Sequence, residues 1–229
     1  MANSQISKLL NFANLQIAAE AFLVEGDEVV PSPADVSRRL TRGNEHASKF
    51  TPVQAEQFVR DLEVVTQYRN DPLQAGMGTG FSATLFRCRV DDLIRGLVKD
   101  ELILSFRSTE FIDDAVRDNK ATNELEIKNL GWAFGQISDM EKWYATLRAD
   151  PNLLAGKNFN VTGYSLGGHL ATAFNILRRE EYAATPEFNP VTATYTFNGA
   201  GTGSILDGRR LTDLIGAFDR IRANRFTSA

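Results

Sequence analysis

The sequence predicts an α/β fold with a mostly parallel sheet behind a helical N-terminal segment. Two observations carry that prediction. Through residues 80–229, runs of β-forming residues alternate with apolar helical segments, and the stretches between successive strand runs read as long crossovers. Through residues 1–70, helix-start signals recur in front of apolar residues at helical spacing. A chain of 229 residues with 43% hydrophobic content can bury a substantial core. No repeat, low-complexity tract or linker divides it, so 1–229 reads as one domain with a helical part (1–70) and an α/β core (80–229).

Within 4–24, Ile6, Leu9, Leu10, Phe12, Leu15, Ile17, Ala18, Phe22 and Leu23 fall close to helical spacing. SPAD (32–35) and TPVQ (51–54) each pair a capping hydroxyl, Ser32 or Thr51, with a proline suited to the first helical position. NDPLQAGMGTG (70–80) is a turn-rich loop. FSATLFRCRV (81–90) and ELILSFRS (101–108) read as strands, and a helix is expected from about 133 to 149. Trp132, Phe134, Trp143 and Tyr144 keep helical spacing there, either as core or as the wall of an acyl site. NFNVTGYS (158–165) reads as a strand, LGGHLATAFNILRREE (166–181) as a helix and TATYTFNGAG (192–201) as a strand. LTDLIGAFDRIR (211–222) closes as an amphipathic helix.

The formal net charge of −4 implies no basic face, so nucleic acid is not an expected partner. The lone Cys88 excludes an internal disulfide and reads as a small buried hydrophobe. Two histidines cannot make a His-rich metal site. The N-terminus has no basic leader followed by an apolar run, and no segment reaches the roughly 18 apolar residues of a membrane span. These features leave a bacterial cytoplasmic address or export by a route that needs no signal peptide.

Gly163-Tyr164-Ser165-Leu166-Gly167 fits G-x-S-x-G between a strand and a helix. The pattern has a steric reason. On so sharp a turn the residues two before and two after the serine nearly touch, so only small ones fit. The turn lifts the hydroxyl above the sheet edge and aims the free amides of the next helix at a developing oxyanion. A glycine-rich turn without chemistry is the alternative.

GYSLGGHLA resembles the nucleophile elbow of the α/β-hydrolases, in particular class 3 lipases and related bacterial lipase-like proteins. LILSFRSTEFIDDAVRD is similar to their oxyanion strand, and TYTFNGAGTG to the strand after the nucleophile helix. The resemblance spans roughly residues 80–205, with the motifs in the family's order. It implies an α/β-hydrolase sheet with Ser165 as nucleophile. The amide of Leu166 and that of Thr109 would be oxyanion donors, and Arg107 would brace the oxyanion loop. Asp114 and Asp118 would fasten the lid-like segment after it; the alternative is that Arg107 and Asp118 are simply an ion pair under a loop. The family's glycine after the arginine is Ser108 here. The implied substrates are carboxylic esters, lipid esters by family, with no metal or organic cofactor; thioesters or amides would use the same elbow.

A serine nucleophile needs a histidine oriented by a carboxylate, in the chain order Ser, acid, His. After Ser165 the only histidine is His169, one helical turn along the nucleophile helix, where a structural role is the simpler reading. His46 precedes the elbow. Asp213 and Asp219 read as a solvated helix face and Asp207 as a turn. In the resembled lipases the acid and histidine lie beyond a further strand, and this sequence ends at RANRFTSA. The expectation is therefore a sheet missing its C-terminal strand or strands, with an exposed edge open to association. Three readings follow: a fragment of a longer lipase-like protein, a weak hydrolase, or a hydrolase-fold module for binding or assembly.

Overall fold

The computed structural model describes residues 2–25, 30–43, 49–68, 79–108, 127, 130–205 and 208–226. Three helices lead: α1 (Ala2–Ala19), α2 (Pro33–Arg42) and α3 (Pro52–Asp61). Both predicted caps form. The Ser32 hydroxyl accepts from the Asp35 amide, and Thr51 and Gln54 make a reciprocal capping box. Then follow β1 (Leu62–Tyr68), β2 (Ala83–Cys88), β3 (Leu102–Phe106), α4 (Phe134–Ala149), β4 (Phe159–Tyr164), α5 (Leu166–Glu181), β5 (Val191–Phe197) and α6 (Leu211–Phe226).

The five strands form one sheet in chain order, β1-β2-β3-β4-β5. β1/β2 and β2/β3 pair antiparallel, β3/β4 and β4/β5 parallel. The sheet is thus mixed rather than mostly parallel, for two local reasons. β1 falls inside the stretch expected to be helical: α3 stops at Asp61, and Leu62 turns straight into extended backbone at φ −134°, ψ 151°. The link from β2 to β3 is no helical crossover. Residues 89–101 fold back on themselves through an Asp92–Leu97 bridge, with Gly96 and Asp100 in the left-handed region, which returns the chain antiparallel.

β3-α4-β4-α5-β5 advances in one direction across the sheet. Crossovers of one hand then deposit both helices on one face, and α4 and α5 do share a face with α6. Their core includes Leu104, Phe106, Ile137, Val161, Leu170, Phe174 and Leu211. Trp132, Trp143 and Tyr144 are buried in it, so they are core rather than an open acyl wall. The opposite face is covered by α1–α3, with Phe12, Leu15, Phe58, Phe86 and Cys88 in a second core. Cys88 is buried and its thiol is pushed up by desolvation, as suits a packing residue. Among the described residues no helix is long and apolar enough to cross a membrane.

Candidate active site

β4 is buried from Phe159 to Gly163, with Tyr164 exposed at its end, and hands over to α5 at a single residue, Ser165. There the backbone sits at φ 52°, ψ −118°, a region in which non-glycine residues are strained by about 1–3 kcal/mol. The surrounding glycines explain why the chain can turn so sharply. A Cβ on Gly163 would lie 1.9 Å from the Gly167 carbonyl oxygen, and one on Gly167 would lie 2.3 Å from that of Phe106. A Cβ on Gly168 would lie 2.7 Å from the Cα of Gly199. Three backbones thus meet at the C-terminal edge of the sheet: the end of β3, the β4–α5 turn and the loop after β5.

The strained serine is clamped on both sides. Its amide donates to the Phe197 carbonyl at 3.1 Å, and its carbonyl accepts from the amides of Ala200 (3.0 Å) and His169 (3.1 Å). The Ser165 side chain makes no capping bond to α5. The first-turn amides of that helix, Leu166 among them, have no intrahelical acceptor and begin beside the half-buried serine. Leu166 itself is buried and anchors the turn.

His169 does different work. Its ring is wholly buried. Nε2 accepts from the Ala133 amide at 3.2 Å, and Nδ1 lies 3.0 Å from the Gly201 carbonyl. An amide can only donate and a carbonyl only accept, so the ring is neutral with its proton on Nδ1. Both nitrogens are taken by backbone, leaving neither for Ser165. The histidine joins α5 to the segments at 131–133 and 199–203, which also touch directly: the Gly203 amide donates to the Gly131 carbonyl at 2.7 Å.

Burial pushes the His169 imidazole below its ordinary value, and the Gly201 bond opposes this less strongly. The unfolded chain then binds a proton that the folded chain refuses. The resulting stability is complete above about pH 6.5 and is lost as pH falls below it. Urea midpoints measured between about pH 7.5 and about pH 5.5 should therefore drop. The drop should be shallower in His169→Gln, and an identical slope in both proteins would contradict the buried neutral imidazole described here.

Arg107 and Ser108 follow β3. Arg107 is buried, with Nε 3.9 Å from a Glu20 carboxylate oxygen and its guanidinium 4.2 Å from the Phe22 ring centre. The Ser108 amide donates to Glu20 at 2.8 Å. Ser108 has no left-handed backbone, so a serine at this position brings no strain there. Glu20 is a site residue the sequence reading passed over. Its carboxyl is raised by burial, which outweighs the neighbouring Arg107. Its one sequence signal is a charge inside the apolar run IAAEAFL.

Thr109, Asp114, Asp118, His46 and Asp207 lie outside the described residues. Asp213 is exposed and pairs with Arg210, as a solvated residue should. Asp219 keeps solvent access, its side chain 38% exposed, but it also accepts from the Ser138 hydroxyl and sits 3.6 Å from Lys142, tying α6 to α4. No family model, no curated protein and no solved structure matches the chain.

Proposed function

We propose that this chain is a serine hydrolase of the α/β-hydrolase type, resembling class 3 lipases, that acts on carboxylic esters through Ser165. One observation carries the reading. A non-glycine residue with a hydroxyl occupies a strained turn at φ 52° between a buried strand and a helix N-terminus, held there by glycines that admit no side chain. Strain at a clamped turn is a common property of reacting residues. In the proposed reaction the Ser165 Oγ attacks the ester carbonyl, and the Leu166 amide, with that of Thr109, holds the oxyanion. The ester C–O bond breaks with the serine proton ending on the departing alcohol oxygen, and water then adds to the acyl-serine, a proton returning to Oγ as the acid is released. These steps need no metal or organic cofactor. Lipid esters are the preferred class by resemblance.

The backbone bonds of His169 favour a second reading, in which the hydrolase framework serves binding or assembly without its own base. A fluorophosphonate probe separates the two. Under the hydrolase reading one phosphonyl group adds to the protein, peptide mass spectrometry places it on Ser165, and Ser165→Ala abolishes it. A short p-nitrophenyl ester should turn over slowly, since a hole and binding site lacking a complete triad retain only about 10³–10⁴-fold over water. Failure to label Ser165 assigns the chain to the binding reading. Rapid turnover that Ser165→Ala abolishes means that a working base is present, with His46 as the candidate to replace.

A further inference from the structure

We infer that β5 is an interface at which two copies of this chain pair antiparallel about a twofold axis at Thr194, joining their sheets. Among the described residues no strand pairs with the outer edge of β5. The two edges of the sheet are built differently. β1 carries a bulge between Val64 and Thr66, and its Glu63 is paired with Arg87 and Arg89, features that discourage strand addition. β5, Val-Thr-Ala-Thr-Tyr-Thr-Phe, has no charge and no proline and consists almost wholly of β-branched and aromatic residues.

The strand is also complementary to itself. Centred on Thr194, antiparallel pairing sets Thr194 opposite Thr194, Thr192 opposite Thr196, Ala193 opposite Tyr195 and Val191 opposite Phe197. Threonines face threonines, and each ring faces a smaller apolar side chain, pairs that stabilise sheets. A twofold axis normal to the sheet keeps both α1 helices on one face. The Phe12 ring of α1 stacks on Tyr195 with centroids 4.1 Å apart. Leu9, one turn earlier on that side of the helix, is 45% exposed, and Ile6 is 66% exposed. Those aliphatic groups continue the exposed side of α1 beyond Phe12, and a second copy that reached over them would remove them from water.

The size is adequate. Seven strand residues span about 23 Å, and a helix–sheet–helix sandwich is about 30 Å deep. The edge face is then about 700 Å² per copy, close to the roughly 800 Å² of a standard interface.

Sedimentation across a wide concentration range should show a species of twice the 25.4 kDa chain mass. Thr192 and Thr196 are both exposed, so charges there leave the fold intact, as circular dichroism and thermal melts will check. Thr192→Lys with Thr196→Lys places like charges opposite each other twice and should weaken the dimer by about tenfold or more. Thr192→Lys with Thr196→Glu places opposite charges in the same register and should restore it. A monomeric wild-type protein, or a dimer indifferent to both variants, overturns the inference.

Discussion

Gly163→Ala is expected to cost at least about 3 kcal/mol of stability and to leave little soluble protein. The added methyl would stand 1.9 Å from the Gly167 carbonyl oxygen and 2.7 Å from the Gly168 amide nitrogen. Both atoms are backbone in the first turn of α5, so no rotamer change can make room. Shifting them would push α5 off β3, where the Phe106 carbonyl already crowds Gly167. Gly201→Ala is the control. It is in the neighbouring loop, its Cβ would meet nothing within 4 Å and its φ is not left-handed. That variant should be neutral or gain up to about 1 kcal/mol by restricting the unfolded chain. Urea unfolding of both proteins measures the difference, and equal midpoints would refute the steric account of the motif.

Ser165→Gly is expected to lose the fluorophosphonate adduct completely and yet to be more stable than the wild type. Glycine adopts φ 52° without the strain borne by serine, a gain of about 1–3 kcal/mol. Its extra freedom in the unfolded chain returns about 0.5–1 kcal/mol of that. The net gain should be about 1 kcal/mol, whereas Ser165→Ala keeps a Cβ in the strained geometry and should stay within about 0.5 kcal/mol of wild type. Stability gained as reactivity vanishes is the trade expected at a site kept strained for chemistry. If the glycine variant is no more stable than the alanine variant, the turn is not strained and the main support for Ser165 as nucleophile is gone.

The elements legible in the sequence were those with strong local signals. The helix expected at 166–181 runs from Leu166 to Glu181, because a glycine-rich turn starts it and apolar spacing continues it. β1 was not legible beside α3, since no glycine or proline separates Asp61 from Leu62. Only the run Val64-Val65-Thr66 hinted at a strand. Strand direction was misread for a related reason. The length of residues 89–101 allows a crossover, but their left-handed Gly96 and Asp100 make a return. At the site, Ser165 and its glycines could be read because their constraint is contained in a few consecutive residues. Glu20 could not, because its contact with Ser108 spans 88 residues and depends on how α1 crosses the sheet.

Strand order equal to chain order has a consequence for synthesis. Each new strand joins the sheet beside the one made just before it, so the sheet grows at one edge and no strand must insert between two others already paired. The β1–β3 portion closes through nearby contacts, and the parallel strands add later across longer loops. The clamp on Ser165 is completed only with the last strand. Its bonds to Phe197 and Ala200 cannot form until the chain has been made some 35 residues past the serine. A nascent chain halted before Phe197 would carry the whole glycine motif without the bonds that clamp the serine, so the held, strained backbone is a property conferred by β5 after the turn itself has been synthesised.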